Sequence, residues 1–171
     1  MEEEGERGLR LRRRGGGGFV IEVMRERELK ALMEIWEEAD AGSVEGADGR
    51  LFPDPVRGGE DEDEFRAEWR EYVHEELRER FAGDLQVIRD DLGRLLEIEG
   101  KRVVLVRMEN VGSWMSGLNQ ARLVMQQRYG FPEEMSPEAV VEMIQGGKIE
   151  AYVRSGLYAG ILEWMIANVA G

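Results

Sequence analysis

The sequence predicts a mainly helical α+β domain, a bundle of about five helices carrying a small N-terminal antiparallel sheet. Three observations carry that expectation. The β-branched run FVIEV at 19–23 follows four glycines, Gly15 to Gly18, and reads as half of a hairpin. From Phe65 to Leu95 apolar residues recur every three or four positions, the period of an amphipathic helix. The 171 residues suffice for one hydrophobic core and are too few for two large ones.

The elements follow in order. Residues 1–18 form a basic, Gly-rich segment that serves as an edge strand or a tail, and residues 19–171 form the single globular domain. From Arg25 onward, Leu29, Leu32, Met33, Trp36 and Ala39 mark one face of a helix that Gly42 ends. In RLFPDP, residues 50–55, two prolines force an extended or turned path, with Leu51 and Phe52 directed to the core. The acidic run GGEDEDE leads into the long helix, its carboxylates meeting the positive end of the helix dipole. Unbroken to Leu95, that helix would span about 45 Å, so a bend near Gly83 is expected. RVVLV at 102–106 is a strand that could join the hairpin. A helix then runs from Trp114 to Tyr129 and stops at Gly130 and Pro132. The next starts at Ser136 with a serine cap, proline at its first position and glutamate in its first turn. The last, from about Ile149 to Val169, is apolar over so wide an arc that it reads as the central helix or as a face meeting another protein.

The formal net charge is −13 and its distribution is uneven. Residues 15–99 hold eleven basic against twenty-five acidic side chains, while residues 100–171 hold seven of each. Residues 15–99 are therefore expected to present an acidic outer surface, and residues 111–169 to supply most of the core. A surface this anionic repels phosphate backbones and anionic lipid, so nucleic acid would need a local basic patch, and Arg10, Arg12, Arg13 and Arg14 form one. The chain has no cysteine, which excludes disulfides, thiolate sensing and Cys-ligated zinc. No apolar signal segment opens the sequence, so the expected location is the cytoplasm. The run from Gly156 to Ala170 contains Glu163 and is too short to span a membrane.

Chemical motifs are scarce. Glu71 and His74 make a single Glu-x-x-His step, whereas a carboxylate-bridged di-iron bundle needs two, and the chain holds one histidine. Ser43, Ser113, Ser116 and Ser155 stand in no nucleophile-elbow context, and no phosphate-binding glycine loop precedes a helix. No catalytic residue, metal or cofactor is expected; an unrecognised hydrolase using the abundant acids is the enzymatic alternative.

Two stretches stand out: Arg50, Leu51, Phe52 and Pro53, and the W-x-x-x-LNQAR helix with Trp114, Leu118, Asn119 and Arg122. With the N-terminal β piece, the acid-and-arginine helix ending near Leu96 and the closing helix, they resemble the AosR-like family of small bacterial proteins over roughly residues 19–169. Members are often encoded beside the ClpS adaptor, and some are described as oxidative-stress transcriptional regulators acting through a sigma factor. The resemblance implies a regulatory, partner-binding role, with a sigma factor or a Clp component as partner. The chain departs from the family in having no cysteine, and in its tail YGFPEEMSPEAV after the Trp114 helix.

The leading expectation is a non-enzymatic regulatory or adaptor protein working by protein–protein contact; the alternative is a DNA-binding transcriptional regulator using Arg10 to Arg14. Gly156 and Gly160, four apart on the last helix beside Trp164, let another helix approach closely, and a monomer or a homodimer follows according to whether that contact is internal. Arg122 is expected to be buried against a carboxylate or several backbone carbonyls, with Asn119 capping or bridging the RLFPDP turn, so that the two signatures form one structural lock.

Overall fold

A four-stranded antiparallel sheet lies at one side of the computed structural model, which describes residues 8–43 and 63–169. Its strands are β1 (Leu9–Arg13), β2 (Phe19–Val23), β3 (Leu96–Ile98) and β4 (Lys101–Val106), in the order β1-β2-β4-β3. Phe19 pairs with Val106 and Ile21 with Val104, so the expected third strand is present and central. The first hairpin turns through Gly16, Gly17 and Gly18, all at positive φ. Gly18 is irreplaceable on a second ground, because a β-carbon there would collide with the Val106 carbonyl.

Six helices complete the described fold: α1 (Glu26–Met33), α2 (Ile35–Glu38), α3 (Asp63–Gly93), α4 (Val111–Tyr129), α5 (Pro137–Gln145) and α6 (Ile149–Asn168). None is long and apolar enough to cross a membrane. Helix α4 is the hub. Trp114, Leu118, Ala121, Val124 and Met125 are fully buried along it, and Phe19 of the sheet meets the Trp114 ring edge-on at 6.3 Å. Gly117 lets α3 approach α4 so closely that a β-carbon would strike Ile88. The two helices are also stitched by polar bonds. The buried Asp91 carboxylate accepts from Trp114 Nε1 at 2.8 Å and from Asn110 Nδ2 at 3.2 Å, and Asp84 accepts from Ser113 at 2.9 Å.

Helix α5 starts as its sequence dictates, with Ser136 Oγ accepting from the Ala139 N–H at 3.1 Å and Pro137 at the first position. Helix α4 stops at Gly130, which adopts the left-handed conformation and turns Phe131 back between the rings of Tyr129 and Tyr152.

Several expectations are corrected. Helix α3 runs unbroken through Gly83, because most of its side chains from Glu71 to Arg80 face solvent and no core forces a bend there. It ends at Gly93 rather than Leu96, and Leu96–Ile98 forms a hairpin with β4 through Glu99 and Gly100, both at positive φ, the signature of a tight two-residue turn. The helix expected from Arg25 to Ala39 divides at Glu34, which leaves Met33 and Trp36 on the surface and brings Ile35 inside. The central helix is α4, not α6. Among the described residues, 111–169 contribute more of the buried apolar side chains than 15–99, in the expected direction, and the acidic part adds Phe19, Ile21, Leu32 and Ile35, all fully buried.

Candidate functional site

A groove of about 870 Å³ opens between β1, α1 and α6. Leu9, Arg10 and Leu11 of β1 all line it. Side chains alternate between the faces of a strand, so three successive residues share a cavity when that cavity meets the strand's edge. The main chain explains why this edge is open. The Met24 N–H donates to the Gly8 carbonyl at 2.8 Å and the Arg14 N–H to the Gly18 carbonyl at 3.2 Å, so the even-numbered residues of β1 turn their peptide groups toward β2. Leu9, Leu11 and Arg13 turn theirs outward, and among the described residues no strand pairs with them.

Helix α6 forms the opposite wall with Gly156, Leu157, Gly160 and Trp164. A β-carbon at either glycine would meet nothing within 4 Å, so the pair is exposed to the groove and makes no close contact inside the protein. Trp164 is half-buried and tilts against Phe19 with ring centroids 5.8 Å apart. Helix α1 closes the third side with Glu28 and Ala31, joined by Glu34 at its C-terminal cap. Glu28 Oε2 is shut off from solvent with no hydrogen-bond partner, an acceptor at the groove wall that nothing in the described chain satisfies.

One end of the groove is pinned by a buried charge network. The Glu38 carboxylate accepts from Arg154 Nη2 at 2.7 Å, Arg128 Nη1 at 3.0 Å and the Tyr129 hydroxyl at 3.0 Å, tying α2 to α4 and α6. Arg154 Nε also lies 3.1 Å from Glu34 Oε2, an ion pair whose N–H is not aligned as a hydrogen bond. Burial lowers the guanidinium's pKa, but the Glu38 hydrogen bond and the charges of Glu38 and Glu34 outweigh it and hold it above its ordinary value. Beside them the Tyr158 hydroxyl donates to the Ala31 carbonyl at 2.5 Å. Burial first, and the Glu38 charge second, push that phenol upward from its ordinary value.

The residues singled out from the sequence fall in different places. Trp114 and Leu118 are core, with the indole N–H satisfied by Asp91. Asn119 is exposed, and Arg122 is half-buried and pairs with no carboxylate among the described residues. The buried arginine–carboxylate lock exists, but Arg128 and Arg154 build it with Glu38, and Arg122 does not. Arg50, Leu51, Phe52 and Pro53 lie outside the described residues. Gly156, Gly160 and Trp164 come together in the groove, where Arg10 joins them. Arg12 is ion-paired to the buried Glu22 across the hairpin. The lock was missed because Glu38 sits among Glu34, Glu37 and Asp40 and reads as one more surface acid. Among the described residues no three His, Asp or Glu side chains converge as a metal site.

The family model described as a domain of unknown function, DUF2017, matches residues 10–167, nearly the whole chain. The chain belongs to the DUF2017 family. No curated protein and no solved structure matches it. The DUF2017 match takes in β1 from Arg10 and all of α1 and α6 except the last residue of α6, so the three walls of the groove belong to the family domain.

Proposed function

We propose that this DUF2017 protein is a non-enzymatic regulatory or adaptor protein of the cytoplasm that acts by protein–protein contact, with the groove between β1, α1 and α6 as its docking site. The supporting observation is the groove itself: an unpaired sheet edge, two bare glycines and an indole lie around one opening, the features that let another polypeptide backbone come close. Its walls offer main-chain bonding groups and apolar surface. The resemblance to the AosR-like family orders the partners to try, with stress-response sigma factors and Clp components first.

A photo-crosslinking amino acid tests the reading. Placed at the exposed groove residue Val153, it should join the protein to a discrete partner in the native host, while the same group at the exposed Tyr72 of α3 should not. Equal labelling from both positions would remove the groove from the proposal.

A further inference from the structure

We infer that the groove takes an extended segment of a partner protein, alternately apolar and acidic, which adds to the outer edge of β1 as a fifth strand. The inference rests on the reading that the groove is a docking site, and specifies the occupant. The strand's sequence is LRLRR. Leu9 and Leu11 lie on the sheet face that carries Phe19 and Ile21, whereas Arg10 and Arg12 lie on the other face, in register with Glu22 and Val20. A strand laid beside β1 would place alternate side chains next to Leu9 and Leu11, above Leu157 and Gly160 of α6, and would place the intervening ones next to Arg10 and Arg12. The first set must be apolar; in the second, the residue beside Arg10 gains by being acidic, while Arg12 is already ion-paired to Glu22.

The outward peptide groups of Leu9, Leu11 and Arg13 supply the main-chain bonds. Gly156 and Gly160 supply depth, since an ordinary side chain there would fill the space an incoming apolar residue needs.

Charge selects among occupants. The stretch from Arg10 to Arg14 holds four arginines and no acid, inside a chain of net charge −13. Adding β1 of a second copy antiparallel to β1 would set arginines beside arginines while bringing two strongly anionic proteins together. Nucleic acid would match the arginines but could not use the apolar wall or the alternating peptide groups. An acidic, alternating strand uses all three features.

The test uses the full chain and a synthetic fluorescent peptide, Val-Glu-Val-Glu-Val-Glu-Val, in anisotropy and amide-exchange measurements. The peptide should bind about tenfold more tightly than Val-Lys-Val-Lys-Val-Lys-Val, and its binding should weaken against Arg10→Ala. Exchange of the Leu9, Leu11 and Arg13 amides should slow at least tenfold on saturation, with Arg10 and Arg12 little changed. N-methylation separates a strand from other binding modes without altering the protein. Methyl groups on every valine nitrogen, or on every glutamate nitrogen, block only one edge of the peptide, so one of the two modified peptides should lose binding while the other keeps it. Loss with both, loss with neither, or no alternation in amide protection would overturn the added strand. If the Val153 crosslink to a native partner persists in that event, the groove still docks a protein, in another form; if the crosslink is absent too, both readings fail.

Discussion

Glu38 illustrates how one side chain can hold three elements. Its carboxylate is 7% exposed and binds two guanidiniums and a phenol, so removing it leaves Arg154 with Glu34 as its remaining carboxylate and takes the buried carboxylate from Arg128. Glu38→Ala should therefore cost about 3 kcal/mol, read as a lower urea midpoint at unchanged slope. Tyr158 gives a pH-dependent counterpart. Its folded-state pKa is raised, so its contribution is complete below the unfolded value of about 10 and declines as pH climbs above that. Unfolding free energy should fall by up to about 1.4 kcal/mol per pH unit above pH 10 from this group, and Tyr158→Phe should remove that component of the slope. At this scale the sequence was legible where chemistry is local. Ser136 and Pro137 announce a helix start by themselves, whereas Glu38 gains its meaning from residues ninety or more positions away.

Between elements, three glycines of the helices separate by environment. Gly117 faces Ile88 and Leu85 across the α3–α4 contact, so Gly117→Ala overfills a packed seam and should destabilise by about 1–3 kcal/mol despite alanine's better helix propensity. Ile88→Val, which removes the methyl nearest the added carbon, should recover part of the loss in the double variant. Gly156 and Gly160 face open space, and alanine at either should raise the thermal midpoint by the equivalent of about 0.5–1 kcal/mol. Helix α3 should also be uneven along its length: amides from Glu71 to Arg80 should exchange faster than those from Leu85 to Leu92, whose apolar side chains are buried. Periodicity revealed these helices because apolar spacing survives in any context. It could not reveal where α3 ends, since Leu95, Leu96 and Ile98 continue an apolar pattern that only the turn at Glu99 and Gly100 converts into a strand.

Over the whole molecule, charge predicts weak binding of phosphate. Arg12 is committed to the buried Glu22, and the rest of the basic segment belongs to a protein of net charge −13. Duplex DNA should bind weakly even at about 50 mM salt and show only a shallow salt slope, whereas a steep slope would reinstate the DNA-binding alternative. The α+β architecture was readable from alternation at one end and helical spacing at the other. The groove was not, because it forms where residues 9–11 meet residues 150–164, a proximity that no local pattern records. The same distance in sequence governs how the sheet is made. Phe19 is made before its partner Val106, with all of α3 between them. At about 5–20 residues per second the first hairpin must wait several seconds with the β4-facing edge of its most apolar strand unpaired. Closing so long a loop is entropically slow, so β2–β4 pairing is expected to set the folding rate, while the β3–β4 hairpin and α4 form locally beforehand. Val104→Ala should accordingly slow refolding in proportion to the stability it removes, whereas Met143→Ala on α5 should act mainly by speeding unfolding. Of the sheet's strands, the pair made first is the pair that must be shielded longest.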